Sequence, residues 1–190
     1  MATLTALDPL VDELMKVEGK AEIVEGQIKE LPMTGDEPGY AGDEIFVALR
    51  DYARQNNFGR AVADGKGFLC DLPNRQSFSP DAAFYTGPSG GMKFFPEPPI
   101  FAVEVRSEND YGLTAEREMA QKRADYFAAG TQIVWDVDLE SEREVIAKYV
   151  ASAPHTPTYF GRGDEADAEP ALPGWKMAVS ALFLTPSGGN

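Results

Sequence analysis

Pro98-Pro99-Ile100-Phe101-Ala102-Val103-Glu104-Val105 is an apolar run with one carboxylate near its end. Successive side chains of a strand point to opposite faces. Ile100, Ala102 and Glu104 are therefore expected on one face, Phe101, Val103 and Val105 on the other, and Arg106 back on the Glu104 face. A charge at that depth is costly unless a metal or a cation meets it. The run reads as the central strand of a sheet, and the function turns on what faces Glu104. Upstream, Ser79-Pro80-Asp81 supplies a second carboxylate, expected within a strand over 78–85 and at an edge or end of it, because Pro80 donates no backbone hydrogen bond.

Helical patterns lie on either side. Leu10, Val11, Leu14 and Val17 predict a short amphipathic helix over 8–18, and Ile45, Phe46, Leu49 and Tyr52 a longer one over 41–55. Residues 20–31 predict a hairpin turning at Glu25-Gly26, followed by a loop from Pro32 to Gly39. Gly59–Val62 and Gly67–Asp71 are candidate strands with a tight turn near Asp64-Gly65. Residues 114–129 form the strongest helical pattern, with Thr114 as expected cap and Gly130 as terminator. Gln132–Asp138 reads as a strand and Glu144–Val150 as its antiparallel neighbour. Residues 151–170, rich in Pro, Gly, Asp and Ala, read as a loop. Pro173–Leu184 closes the chain as a short strand or helix, with a loose tail over 185–190. The order implies an α/β (α+β) fold with a central mixed sheet flanked by helices.

A chain of 190 residues suits one domain, here 1–190, with a core that needs no disulfides. One cysteine, Cys70, excludes a disulfide framework and Cys-rich zinc sites. No apolar run is long enough for a membrane span, and Met1–Asp12 lacks the basic start and apolar core of a signal peptide. The expectation is a cytoplasmic protein without a membrane partner. The net charge of −14 argues against tight nonspecific binding to nucleic acid, though not against a local positive groove or a metal bridging carboxylates to phosphate. Gly87-Pro88-Ser89-Gly90-Gly91 lacks the Lys-Ser/Thr of a phosphate loop and reads as a flexible connection close to substrate.

Two carboxylates on neighbouring strands make a hard, oxygen-rich site suited to Mg²⁺ or Mn²⁺. Lys122 shares a helical stripe with Met119 and Tyr126. Spacing alone leaves two readings open: Lys122 lies beside the inward face, where its ammonium offsets clustered negative charge, or it snorkels into solvent. Trp135, Tyr126, Phe127 and Phe101 read as core, and Trp175 as packing a terminal element. His155, the lone histidine, has no expected role.

The ordered set Pro80-Asp81, Glu104-Val105-Arg106-Ser107 and Lys122-x-x-x-Tyr126-x-x-x-Gly130, followed by Ile133-Val134-Trp135-Asp136-Val137-Asp138, resembles the Uma-type family, classed with restriction endonucleases in the PD-(D/E)XK nuclease superfamily. Glu22-Ile23-Val24-Glu25-Gly26 is similar to that family's N-terminal Glu-hydrophobic-x-x-Gly element. The resemblance spans residues 20–184. It implies a restriction-endonuclease-like core, a divalent-metal site for Mg²⁺ or Mn²⁺ and hydrolysis of phosphodiester bonds; DNA is the expected substrate and no organic cofactor is expected, while the residues themselves leave DNA and RNA both open. Asp81 and Glu104 match the metal-binding acids, Lys122 the helix lysine, and Glu22 the N-terminal acid expected to complete the catalytic set. A homodimer is expected if both strands of a duplex are cut, since that needs two active sites.

Two features depart from the pattern. Arg106 stands where many superfamily members carry lysine. Arginine does not serve as a base, but it can hold a phosphate, or it can pair with Glu104 in place of a metal. Pro38-Gly39-Tyr40 lacks the histidine that relatives often carry before the helix over 41–55. Arg106 and the acidic balance favour the alternative, a non-catalytic interaction or regulatory protein that keeps the nuclease scaffold.

Overall fold

The structure, a computed structural model, describes residues 8–184; the expected tail at 185–190 lies outside them. Its centre is a six-stranded mixed sheet. Strands β3 (Arg60–Ala63), β6 (Ala82–Tyr85), β7 (Phe101–Val105), β8 (Ile133–Val137), β9 (Ile146–Val150) and β10 (Ala153–Phe160) lie in the order β10-β9-β8-β7-β6-β3. Only β7 and β8 pair in parallel, in a register that sets Val103 against Trp135 and Glu104 against Asp136. Parallel neighbours need a crossover; here it is helix α3 (Leu113–Ala128).

The alternation read from the central run holds within β7. Phe101, Val103 and Val105 pack with Trp135, Trp175 and the Ile45–Leu49 stripe of helix α2 (Asp36–Asn56). Ala102 joins Tyr126, Phe78 and Val134 beneath α3. Ile100 does not follow the expected face: it precedes the strand and packs on the α2 side. Burying Trp135 and Phe101 completely, ring against ring at 5.1 Å, gives this layer much of its apolar contact. Phe127 is only half-buried.

A smaller unit carries the N-terminal residues. Helix α1 (Asp8–Leu14) and the hairpin of β1 (Ala21–Val24) and β2 (Gln27–Glu30) share a cluster of Val11, Leu14, Ala21 and Ile23. The hairpin turns at Glu25-Gly26 as expected, both at positive φ. It is fastened to the segment before β6: Ile23 donates its N–H to Ser77 Oγ at 2.7 Å and accepts from Gln76 N, and Glu25 N donates to Asn74 O. β4 (Phe68–Leu69) and β5 (Ser77–Phe78) form a short pair beside it.

Several expectations are corrected. The first helix stops at Leu14 rather than residue 18. α2 begins at Asp36, inside the expected loop, because Pro38 is tolerated in a first turn whose N–H groups need no helical partner. The expected strand over 78–85 is two strands, β5 and β6, separated by Ser79-Pro80-Asp81; Asp81 sits in the break and not in a strand. Pro80 cannot extend the ladder, and the Ser79 N–H is taken by Glu22 Oε1. Thr114 does not cap α3: Gly112, at φ 93°, holds the cap position with no side-chain bond. Residues 151–170 are not a loop, but contain β10 and β11 (Glu165–Asp167), the latter paired with β12 (Lys176–Ala178) before a 3₁₀ turn at Val179–Leu182. β10 is the outer strand of the sheet, with largely exposed side chains and prolines at 154 and 157, so its composition mimics a loop.

Candidate active site

The sheet and the N-terminal hairpin meet at one cavity of about 350 Å³, whose walls include Lys20, Glu22, Asp81, Glu104 and Lys122. Each residue reaches it for a local reason. Glu104 is on the α3 side of β7, near the C-terminal end of that strand. Asp81 is fixed in the break before β6 by two bonds to β7: its N–H donates to Val103 O at 3.0 Å, and its Oδ2 accepts from Val105 N at 2.6 Å. The two acids therefore lie on adjacent chain segments locked to one strand.

Lys122 takes the inward reading. Its Nζ lies 2.8 Å from Glu104 Oε2 and 2.8 Å from Glu22 Oε1, tying helix, central strand and hairpin together. The other oxygen of Glu104 accepts from the Tyr126 hydroxyl at 2.6 Å. Tyr126, one turn beyond Lys122, is fixed by stacking on Phe78 at 4.0 Å. The stripe seen in the sequence thus delivers an ammonium and a hydroxyl to the same carboxylate.

Glu22 is 3% exposed and has three donors, Ser79 N, Lys122 and Arg75. Arg75 is itself buried and also donates to Asp125 Oδ2 at 2.8 Å, while Asn74 and Gln121 donate to Asp125 Oδ1. Burial raises the Glu22 carboxyl, but Lys122 and Arg75 outweigh it and hold the pKa below the ordinary range. Glu104 ends on the other side: burial raises it, Lys122 pulls it back, and the nearby negative charge of Asp81 adds to the rise. For Lys122, burial opposes the charge, and Glu104 and Glu22 more than restore it.

Lys20 and Arg75 carry charges into this network that the sequence reading did not single out. Lys20 Nζ lies 2.6 Å from Asp81 Oδ1 and 2.8 Å from Asp64 Oδ1. The signal was available in the period of the expected hairpin: Lys20, just before β1, and Glu22 within it are two residues apart, so both side chains reach the cavity, while Ala21 and Ile23 enter the apolar cluster.

Arg106 does not pair with Glu104. Its Nε and Nη2 donate to the two oxygens of Asp136 at 2.9 and 3.0 Å, and Nη1 donates to Glu116. Arg123 adds a bond to Asp136 Oδ2 at 3.0 Å. Consecutive residues of α3, Lys122 and Arg123, so serve the two acids that face each other across β7 and β8, Glu104 and Asp136. Gly87–Gly91 is not part of the cavity wall, and His155 is exposed on β10.

Asp81 and Glu104 are the carboxylates that could hold a hard divalent cation, in exchange for the bonds their oxygens accept from Lys20, Val105 N, Lys122 and Tyr126. Among the described residues, the linked carboxylates Glu22, Asp64, Asp81, Glu104 and Asp125 face the cations Lys20, Arg75 and Lys122, five acids against three bases. A formal charge of −2 remains on this network. Among the described residues no three Asp, Glu, His or Cys side chains converge as a metal-holding group, so Asp81 and Glu104 would supply two carboxylates and leave other positions to water or substrate.

The described residues contain no helix long and apolar enough to cross a membrane. A search of curated proteins finds no match. A solved structure titled as a "putative nuclease belonging to DUF820 from Anabaena variabilis ATCC 29413" shares the fold, with a TM-score of 0.70 at 17% identity, over 91% of this chain and 96% of that one. The family model described as "Uma2: Putative restriction endonuclease" matches residues 10–180, and the chain belongs to that family.

Proposed function

We propose that the protein is a divalent-metal-dependent endonuclease that hydrolyses phosphodiester bonds in DNA. The observation that carries this reading is the convergence of Asp81 and Glu104 on one cavity with Lys122 bound to Glu104. Asp81 and Glu104 would hold Mg²⁺ or Mn²⁺, which when bound supplies Lewis acidity toward the scissile phosphate and an acidified water.

The chain's own groups do the rest. The Val105 N–H and the Tyr126 hydroxyl each hold one oxygen of the two acids, so the carboxylates are oriented before any ligand arrives. Lys122 offers a fixed positive charge where negative charge accumulates in phosphoryl transfer. Glu22, kept ionised by Arg75 and Lys122, anchors that ammonium and does not need to touch substrate. Arg106, with its guanidinium committed to Asp136 and Glu116, neither blocks Glu104 nor offers a free fork to phosphate.

The test is cleavage of supercoiled plasmid DNA with Mg²⁺ or Mn²⁺ by wild type and Asp81→Ala. Metal-dependent nicking lost in the variant is expected. Equal nicking by both proteins, or none by either, would leave the non-catalytic scaffold as the better reading.

A further inference from the structure

We propose that Lys20 is a second active-site cation: it covers Asp81 Oδ1 and, held by Asp64, would meet a substrate phosphate if Asp81 were to hold a divalent ion. The inference rests on the nuclease reading above and deepens it.

The argument starts from the cations around the cavity. Lys20, Lys29, Arg75, Arg106 and Lys122 line it. Arg75 is spent on Glu22 and Asp125, Arg106 on Asp136 and Glu116, and Lys29 reaches Glu118 at 3.3 Å on the exposed side. Lys122 belongs to Glu104 and Glu22. Lys20 is the remaining one, and among the described residues its ammonium is the one on Asp81.

Its two partners differ in kind. Asp81 has one oxygen fixed by the Val105 N–H and the other covered by Lys20, so Lys20 competes with any metal for Oδ1. Asp64 lies outside the acid pair, in the turn after β3. It is held in place without Lys20, by the Thr34 hydroxyl at 2.9 Å and the Gly65 N–H at 2.6 Å. Lys20 therefore has a fixed anchor and an exchangeable partner. An ammonium has three donors, and these two contacts use two of them. Were Asp81 to hold a metal, the Asp64 anchor would keep Lys20 at the cavity with donors to offer. The side chain is only 12% exposed, so the charge is held in a site where it acts at higher strength than in water. Placement by β1 ties this function to docking of the N-terminal hairpin.

The experiment is a Mn²⁺ titration followed by thermal unfolding, paired with plasmid cleavage, on the full chain. Lys20→Met is expected to lower the Mn²⁺ midpoint tenfold or more while slowing cleavage by about 10²-fold. Asp64→Asn is expected to move the midpoint the opposite way, because Lys20 then rests on Asp81 alone. Asp64 is partly exposed, so this variant carries the test if Lys20→Met does not fold. Lys20→Arg, which keeps the charge, should stay near the wild-type midpoint. An unchanged midpoint in Lys20→Met or Asp64→Asn beside a responsive wild type overturns the role of Lys20 and leaves the nuclease reading intact. A wild type that neither responds to Mn²⁺ nor cleaves overturns both.

Discussion

Arg106 grips Asp136 with two parallel hydrogen bonds, Nε to Oδ1 at 2.9 Å and Nη2 to Oδ2 at 3.0 Å, so the strand's second charge turns from Glu104 to the neighbouring strand. The geometry is the fork that lysine cannot reproduce. Asp136 is 4% exposed and, among the described residues, its other side-chain donor is Arg123. Arg106→Ala should therefore destabilise the fold by about 1–3 kcal/mol, the cost of under-partnering a buried charged acceptor. Arg106→Lys should recover part of this. Urea denaturation measures the loss. The Mn²⁺ response should survive, since Arg106 contacts neither Asp81 nor Glu104; its disappearance would place Arg106 in the metal site after all.

Lys122→Met removes the ammonium bound to Glu104 while leaving Arg75 on Glu22. Plasmid cleavage should fall by about 10²–10³-fold, the usual cost of deleting one preorganised charge at a reacting centre. The Glu104 carboxyl, already raised by burial, should rise further because Lys122 is the strongest influence holding it down. The residual activity should then demand a higher pH. A pH–rate profile with an unmoved acid limb would argue against contact between the two groups in solution.

Stability should fall in acid, and Glu22 should be one cause. Its folded-state pKa is lowered from 4.5 by Lys122 and Arg75 despite burial. The folded protein thus binds that proton less readily than the unfolded chain, and the stabilisation, present above 4.5, is lost as pH falls through the folded value. Glu104 has the opposite sign: its raised pKa favours the fold at low pH and weakens it as pH climbs through the folded value. Lys20 and Lys122, both raised, add stability that is complete below 10.5 and lost as pH rises through their folded values. Glu22→Gln should flatten the acid limb of a urea-midpoint against pH curve. An unchanged limb would mean that other groups carry the acid sensitivity.

Cys70 should be unreactive in the native protein. Burial pushes its thiol up to about 12, and its Sγ donates to the Arg75 carbonyl at 3.4 Å. The thiolate is the reactive form, so a disulfide reagent at neutral pH should label the protein only at the rate of unfolding. Rapid labelling under native conditions would show that the segment around β4 opens locally.

Trp135 packs against Phe101 at 5.1 Å and Trp175 at 5.4 Å, with its indole N–H on the Asp167 carbonyl. Trp135→Ala should cost about 3–5 kcal/mol by leaving a cavity and an unpartnered carbonyl. Chemical denaturation followed by circular dichroism checks it. A loss below about 1 kcal/mol would mean that the C-terminal unit collapses into the space.

The candidate site was legible where its residues depend on local pattern. Glu104 stood out because a carboxylate ends an apolar strand, and Lys122 and Tyr126 because helical spacing puts them on one stripe. What failed was local pattern at exposed or interrupted places. β10 has the composition of a loop because an edge strand does not need buried side chains. Asp81 reads as a strand residue because the cost of Pro80 to the ladder depends on partners that only the sheet supplies. Thr114 had the right chemistry for a cap, but the chain's turn at Gly112 fixed the start of α3.

By itself the sequence determined the mixed sheet with its helices and the faces of β7, because strand and helix periods are properties of neighbouring residues, and it offered Asp81, Glu104 and Lys122 as candidates. Which charge answers which was decided only by the tertiary structure. Partners such as Lys20 and Asp81, or Arg106 and Asp136, lie far apart in the chain, and hydrogen-bond distance is set by strand register and by docking of the N-terminal hairpin. Arg106 made this plain: sequence placed it on the face of Glu104, and only the parallel register, which brings Asp136 alongside, decided that it would leave Glu104 to Lys122.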